Sequence, residues 1–289
     1  EVGSLVLRNN YLQTLALSLA QRRGIVDLAY QARFITDLEA QKLLNRKVET
    51  LPEDKALQER QIEGIPLTRA ELGVLLAYAK IVLSDQLLAS DLPDDPYFER
   101  ELMEYFPIQM KEGFADEIRT HRLRREIIAT QLANDVINRG GPTFVSRLSD
   151  LTGQSGPEIV RAYVIVRDGF EVGGLFDAID RLDNLMPGDV QNGLYAKVAQ
   201  MLNWTTAWVL RNRKSADLGG AIAEIKAGRN ALLPRLDKLL PVTMMALIRE
   251  DTANNVALGA PQALAEQMAR LEIAPIIPDI AAVAQAANV

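Results

Sequence analysis

The 32 residues from Leu67 to Phe98, LTRAELGVLLAYAKIVLSDQLLASDLPDDPYF, constrain the fold more than any other stretch of the chain. Thr68 is placed to cap a first helical turn, and Glu71, three residues on, can reach back to the Thr68 amide as a capping box. Leu67 and Leu72 occupy the positions of a hydrophobic staple around that turn. The spacing then predicts a helix near 69–89 that is apolar on two sides, with Leu72, Leu76, Ala79 and Leu83 on one and Val74, Tyr78, Ile81 and Leu88 on the other. A helix of that kind is expected at the centre of a bundle, enclosed by other helices. Ser90-Asp91-Leu92-Pro93 stops it, and Asp95-Pro96 opens the next helix with proline in its first turn.

Elsewhere, too, the apolar period is helical. Val2, Leu5, Leu12, Leu15 and Leu19 predict a first helix interrupted near Gly24, and 25–44 a second. A short charged helix or ordered loop is expected over 52–63, and a helix over 96–106 stopped by Pro107. Residues 114–139 read as one long helix ended by Gly140-Gly141. Ser155-Gly156-Pro157-Glu158 resembles a second capping box, opening a helix to Asp168 that Gly169 ends. The β-branched run YVIV at 163–166 has a competing strand reading, which the caps and the length of the segment disfavour. Helices over 175–185 and 187–211 follow, and beyond Lys214 Ala-rich helices are broken at Pro234, Pro241, Pro261, Pro275 and Pro278. The expected class is an all-α multi-helix bundle with no sheet of consequence. The composition shift near Ser215 divides it into a bundle domain, 1–214, and an Ala/Pro-rich helical extension, 215–289, with the alternative that both are one domain.

The composition excludes much chemistry. A net charge of −6 over 289 residues argues against a general nucleic-acid binder. With no cysteine there is neither a disulfide nor a thiolate site, which suits a reducing cytoplasm. No apolar run approaches the roughly 18 residues of a membrane span. The chain opens on Glu1-Val2-Gly3, already in helical pattern, and reads as a piece of a longer polypeptide. His121 is the only histidine, so multi-histidine metal sites are excluded. No phosphate-binding glycine loop occurs, since Gly169, Gly173 and Gly174 are wrongly spaced and Gly219-Gly220 sits in a helical setting. No residue is therefore assigned a catalytic, cofactor-binding or metal-binding role.

Four features still invite inspection. A helical stripe through Phe114, Ile118, Ile128, Leu132 and Val136 passes positions 121 and 125, which hold His121 and Arg125. Such groups on a buried side need partners. Carboxylates or helix-end carbonyls of a neighbour would serve, and the sharper reading is an anion site with Arg119, Arg122 and Arg124. Lys80, flanked by Gly73, Ala77 and Ser84, reads as a lysine that snorkels to water; a ligand-binding lysine would need a cleft. Trp204 and Trp208, one turn apart, read as packing before a ligand cage, and the pairs Asp94-Asp95 and Asp177-Asp180 as caps and solvated faces.

Several long segments resemble one family. LVLRNNYLQTLALSLAQRR at the front, DLAYQARFITDLEAQ (27–41), LTRAELGVLLAYAKIVL (67–83), SDLPDDPYFERELMEYFP (90–107), HRLRREIIATQLANDVINRGGPTF (121–144) and WVLRNR around Trp208 are similar, in the same order, to the region after the catalytic domain of large bacterial NAD-specific glutamate dehydrogenases. The resemblance covers roughly 1–213. It implies a parent enzyme that converts L-glutamate, NAD and water to 2-oxoglutarate, ammonia and NADH. Its catalytic lysine, aspartate and nucleotide-binding glycines belong upstream, so NAD is a cofactor of the parent and none is expected in this chain. The implied partners are the catalytic domain of the same polypeptide and further copies in a homo-oligomer, with no nucleic acid and no membrane. Two roles stay open beside assembly: an effector-binding regulatory module and an independent helical interaction domain.

Overall fold

A computed structural model describes residues 2–213 and 217–286; the domain boundary expected at 214/215 lies outside the described residues. Among the described residues every regular element is a helix and none is a strand. The segment YVIV is helical, so the strand reading falls. The chain divides into two compact units, Glu1–Val160 and Arg161–Val289.

The first unit holds α1 (Val2–Arg23), α2 (Leu28–Ala40), α3 (Asp54–Glu63), α4 (Arg69–Leu88), α5 (Glu99–Tyr105), α6 (Ile108–Gly113), α7 (Ala115–Arg119), α8 (Arg124–Gly140) and α9 (Phe144–Thr152). The next helix, α10 (Gly156–Gly169), begins there and continues past Val160. α4 and α8 pack along one another, and α1 lies on both. Leu72, Leu75, Leu76, Ala79, Leu83 and Leu87 of α4 are buried, as are Ile128, Ala129, Leu132, Ala133 and Val136 of α8. Each large side chain so buried is worth about 1.5–3 kcal/mol, which far exceeds any local propensity.

The start of α4 is built as its sequence requires. Thr68 Oγ1 accepts from the Glu71 amide at 3.3 Å, and the Glu71 carboxylate accepts from the Thr68 amide at 2.7 Å. Leu67 and Leu72 are both buried. The expected enclosure is only partial, however. Ile81 on the second apolar side is 54% exposed, so α4 buries one broad face instead of its whole circumference. Past its end, Asp95 Oδ1 accepts from the Tyr97 amide at 3.0 Å and opens the 3-10 turn Pro96–Phe98 that leads into α5.

The expected helix over 114–139 is two helices. α7 ends at Arg119, and residues 120–123 turn before α8 begins. At the other end Gly140 lets Phe144 close in, since a Cβ there would stand 2.4 Å from the Phe144 ring. Gly141 takes the positive φ of 91° that stops the helix. Between α2 and α3, Arg46, with a side chain only 4% exposed, straps the loop. It donates to Glu39 and pairs with Asp54, both at 2.6 Å, and reaches the Pro52 carbonyl at 3.2 Å.

The second unit contains α11 (Val172–Asp180), α12 (Gly188–Asn212), α13 (Leu218–Leu232), α14 (Leu236–Leu239), α15 (Val242–Ala257), α16 (Gln262–Arg270) and α17 (Ile277–Ala286). α12 packs on α11, where the Phe176 ring stacks on Tyr195 and the Tyr195 hydroxyl donates to Asp180. α15 and α16 pair, and Met245, Ile248 and Ala269 join Leu236 and Ile273 in one cluster. Gly169 ends α10 and also lies against α13, where a Cβ would meet Ile225 at 2.5 Å. Pro278, expected as a break, falls in the first turn of α17, where a missing amide costs no intrahelical bond.

The single broad core face of α4 makes a paired prediction. Leu75→Ala, at a fully buried position, is expected to cost about 2–5 kcal/mol. Ile81→Ala is expected to change stability by no more than about 0.5 kcal/mol. Urea unfolding of both variants checks this; equal costs would mean that α4 is enclosed after all.

Candidate functional site

The sequence candidates do not converge on one place. Arg125 lies in the first turn of α8 and reaches back to the C-terminal end of α4. Its Nη2 donates to the carbonyls of Leu88 at 2.9 Å and Ser90 at 2.8 Å, and Nη1 pairs with Asp94. Arg124 joins the same carboxylate at 2.9 Å. A cation at a helix C-terminus meets carbonyls that have no intrahelical partner and the negative end of the helix dipole. The simpler expectation thus holds for Arg125: its partners are helix-end carbonyls and a carboxylate.

His121 does not share a helical stripe with Arg125, because it stands in the turn before α8. Its Nδ1 accepts from the Leu123 amide at 3.1 Å, and its ring meets Phe106 edge-on at 5.6 Å. Arg119 is engaged by Glu99 at 2.6 Å and by Asp116 at 2.8 Å. Arg119, Arg124 and Arg125 are thus each paired with a carboxylate.

Lys80 is half-buried, and among the described residues no carboxylate pairs with it. Burial pushes its amine down to about 8 from the usual 10.5. Perturbed lysines are often reactive, but reaction also needs a cleft. A 650 Å³ cleft in the same unit is lined by Phe34, Asp37, Gln86, Ser149 and Asp150 among others, and Lys80 is not on it. In the second unit Trp204 is half exposed, while the Trp208 Nε1–H donates to Asp279 at 2.5 Å and Arg213 lies over its ring. The two indoles have different surroundings and form no cage. Among the described residues no cluster of histidine, aspartate and glutamate could hold a metal ion.

A second cleft, of 760 Å³, is framed by Glu171, Arg229, Glu266 and Arg270 over an apolar floor. The sequence did not single these residues out. They come from three segments, and no spacing along the chain brings them together.

Identity rests on overall likeness. The family described as Glutamate dehydrogenase, C-terminal, matches residues 64–289. The chain belongs to this family. It is 43% identical over 269 residues to the NAD-specific glutamate dehydrogenase of Pseudomonas aeruginosa and 39% identical over 269 residues to that of Halomonas elongata. It is 33% identical over 266 residues to the NAD-specific glutamate dehydrogenase of Mycobacterium tuberculosis. Each of the first two alignments covers 93% of this chain but 17% of the relative's length, and the third 92% and 16%. This member of the glutamate dehydrogenase C-terminal family thus spans about one sixth of the relatives it matches.

Two predictions arise here. Below pH 8 the folded chain carries the full penalty of charging a half-buried Lys80, while the unfolded chain holds its proton up to about 10.5. Stability should therefore rise between those values as the unfolded lysine loses its advantage. Lys80→Met is expected to be more stable than wild type below pH 8, with the difference shrinking above it. Urea midpoints on both sides of that pH decide, and a pH-independent difference would refute the reading. Arg125→Ala is expected to cost about 1–3 kcal/mol by leaving the α4 carbonyls without their donor. The same melts would expose the error if Arg125→Ala proved neutral.

Proposed function

We propose that this chain is the helical, non-catalytic C-terminal region of an NAD-dependent glutamate dehydrogenase. In that enzyme L-glutamate, NAD and water become 2-oxoglutarate, ammonia and NADH in a separate catalytic domain, where the nucleotide also binds. The helical region packs against that domain and supports assembly of a cytoplasmic homo-oligomer. The observation that carries this reading is the match itself, 43% identity across 93% of the chain but only 17% of the relative. A piece of that size that matches so evenly contributes a part to a larger machine.

Its surface supports an assembly role. Along the first half of α1, Leu5, Val6 and Tyr11 are exposed, and Leu7 is 69% exposed. Apolar side chains left open in this way support a role in which another protein surface covers this end of the helix. Within the first unit α1 packs on α4 and α8, but its buried residues begin only at Leu15.

Two measurements test the proposal. The purified chain, supplied with L-glutamate and NAD, is expected to form no NADH; measurable turnover would overturn the non-catalytic assignment. The parent enzyme lacking this region is expected to lose its assembled state in light scattering, together with its activity. An enzyme that stayed assembled and fully active without it would remove the scaffold role.

A further inference from the structure

The 760 Å³ cleft of the second unit carries an inference that is independent of the assembly role. It lies among the start of α11, the end of α13 and α16. Its floor is apolar: Phe170, Met201, Leu271, Ala274 and Ile277 line it and are buried. A cleft of this volume, mostly apolar with a few placed charges, has the make-up of a small-molecule site.

The charges at its mouth are unevenly committed. Glu171 is fully engaged, accepting from Lys226 at 2.5 Å and from Arg229 at 2.6 Å. The hydrogen bonds from these two cations hold its carboxyl below the usual range. Arg229 also donates to Asn230 at 2.9 Å, and Glu266 accepts from Gln262 at 2.7 Å. Arg270 differs. Among the described residues its one carboxylate contact is with Asp237, through a single nitrogen at 3.5 Å, the outer limit of a hydrogen bond. Glu266 stands four residues ahead of Arg270, the favoured order for a helical ion pair, yet the two do not pair. Two carboxylates and two cations line the mouth, and with Glu171 and Arg229 paired to each other the weakly committed cation is the planar guanidinium of Arg270 beside apolar surface.

Guanidinium is weakly hydrated and binds carboxylate through two parallel N–H donors. We propose that the cleft between α11, α13 and α16 binds a small aliphatic carboxylate, its head group on Arg270 and its tail over Phe170 and Met201. The neighbouring Glu171 and Glu266 disfavour a phosphate dianion, which needs more positive charge than one weakly paired guanidinium supplies. Glu266 accepts from the neutral Gln262 amide alone among the described residues, so an aliphatic amine is the competing occupant that the titration below separates.

The probe is hexanoate, titrated into the chain with ¹³C-methyl methionine labels. The Met201 methyl is expected to shift saturably. Hexanamide, its neutral counterpart, is expected to bind about tenfold more weakly, the contribution of a charge-assisted bidentate contact. In Arg270→Gln the preference for hexanoate over hexanamide should fall to about one, with an unchanged circular dichroism spectrum. Ala263→Trp, on the exposed wall of the cleft, should abolish both titrations while leaving the charges in place. The proposal is overturned if the Met201 methyl does not move, if hexylamine or hexanamide binds as well as hexanoate, or if Arg270→Gln keeps the preference.

Discussion

The first unit depends on the packing of α4 against α8. Both helices bring a continuous buried face to that contact, and α1, α5 and α9 are laid on the pair. Helix propensity alone would hold neither helix, because segments of this length are marginal in water without tertiary burial. The other elements of the unit are arranged around this contact, and much of the polar detail nearby concerns its ends. Glu71 shows how. Burial alone would raise its carboxyl, but hydrogen bonds from Arg60 and from Thr68 outweigh that and keep it ionised at the start of α4.

What could be read in advance was what is local. The capping box at Thr68, the Asp95 cap and the stop at Gly141 each need only a few adjacent residues, and all are present. What could not be read depends on contacts distant in sequence. The apolar stripe from Phe114 to Val136 looked unbroken, but residues 120–123 turn, so that Arg125 comes to the end of α4 and His121 to Phe106. Ile81 is as apolar as the buried leucines of the same helix, yet it stands exposed among the described residues. The cleft of the second unit was illegible for the same reason. Glu171, Arg229 and Arg270 lie on separate segments, and their unequal commitments appear only as distances.

The family identity was legible where the chemistry was not. Long segments of unusual sequence, in order, pointed to the large NAD-specific glutamate dehydrogenases, and the family match over residues 64–289 agrees. Physical reading of single residues led elsewhere, to Lys80, His121 and Arg125, which turn out to be a desolvated amine, a turn residue and a helix clasp.

The Arg125 clasp also has a consequence for motion. One side chain joins the last carbonyls of α4, the turn that carries Asp94 and the first turn of α8. Fraying of any one of these removes a partner from the guanidinium that holds the other two. Opening at the end of α4 and at the start of α8 is thereby coupled through one side chain, although the two ends lie 37 residues apart in sequence.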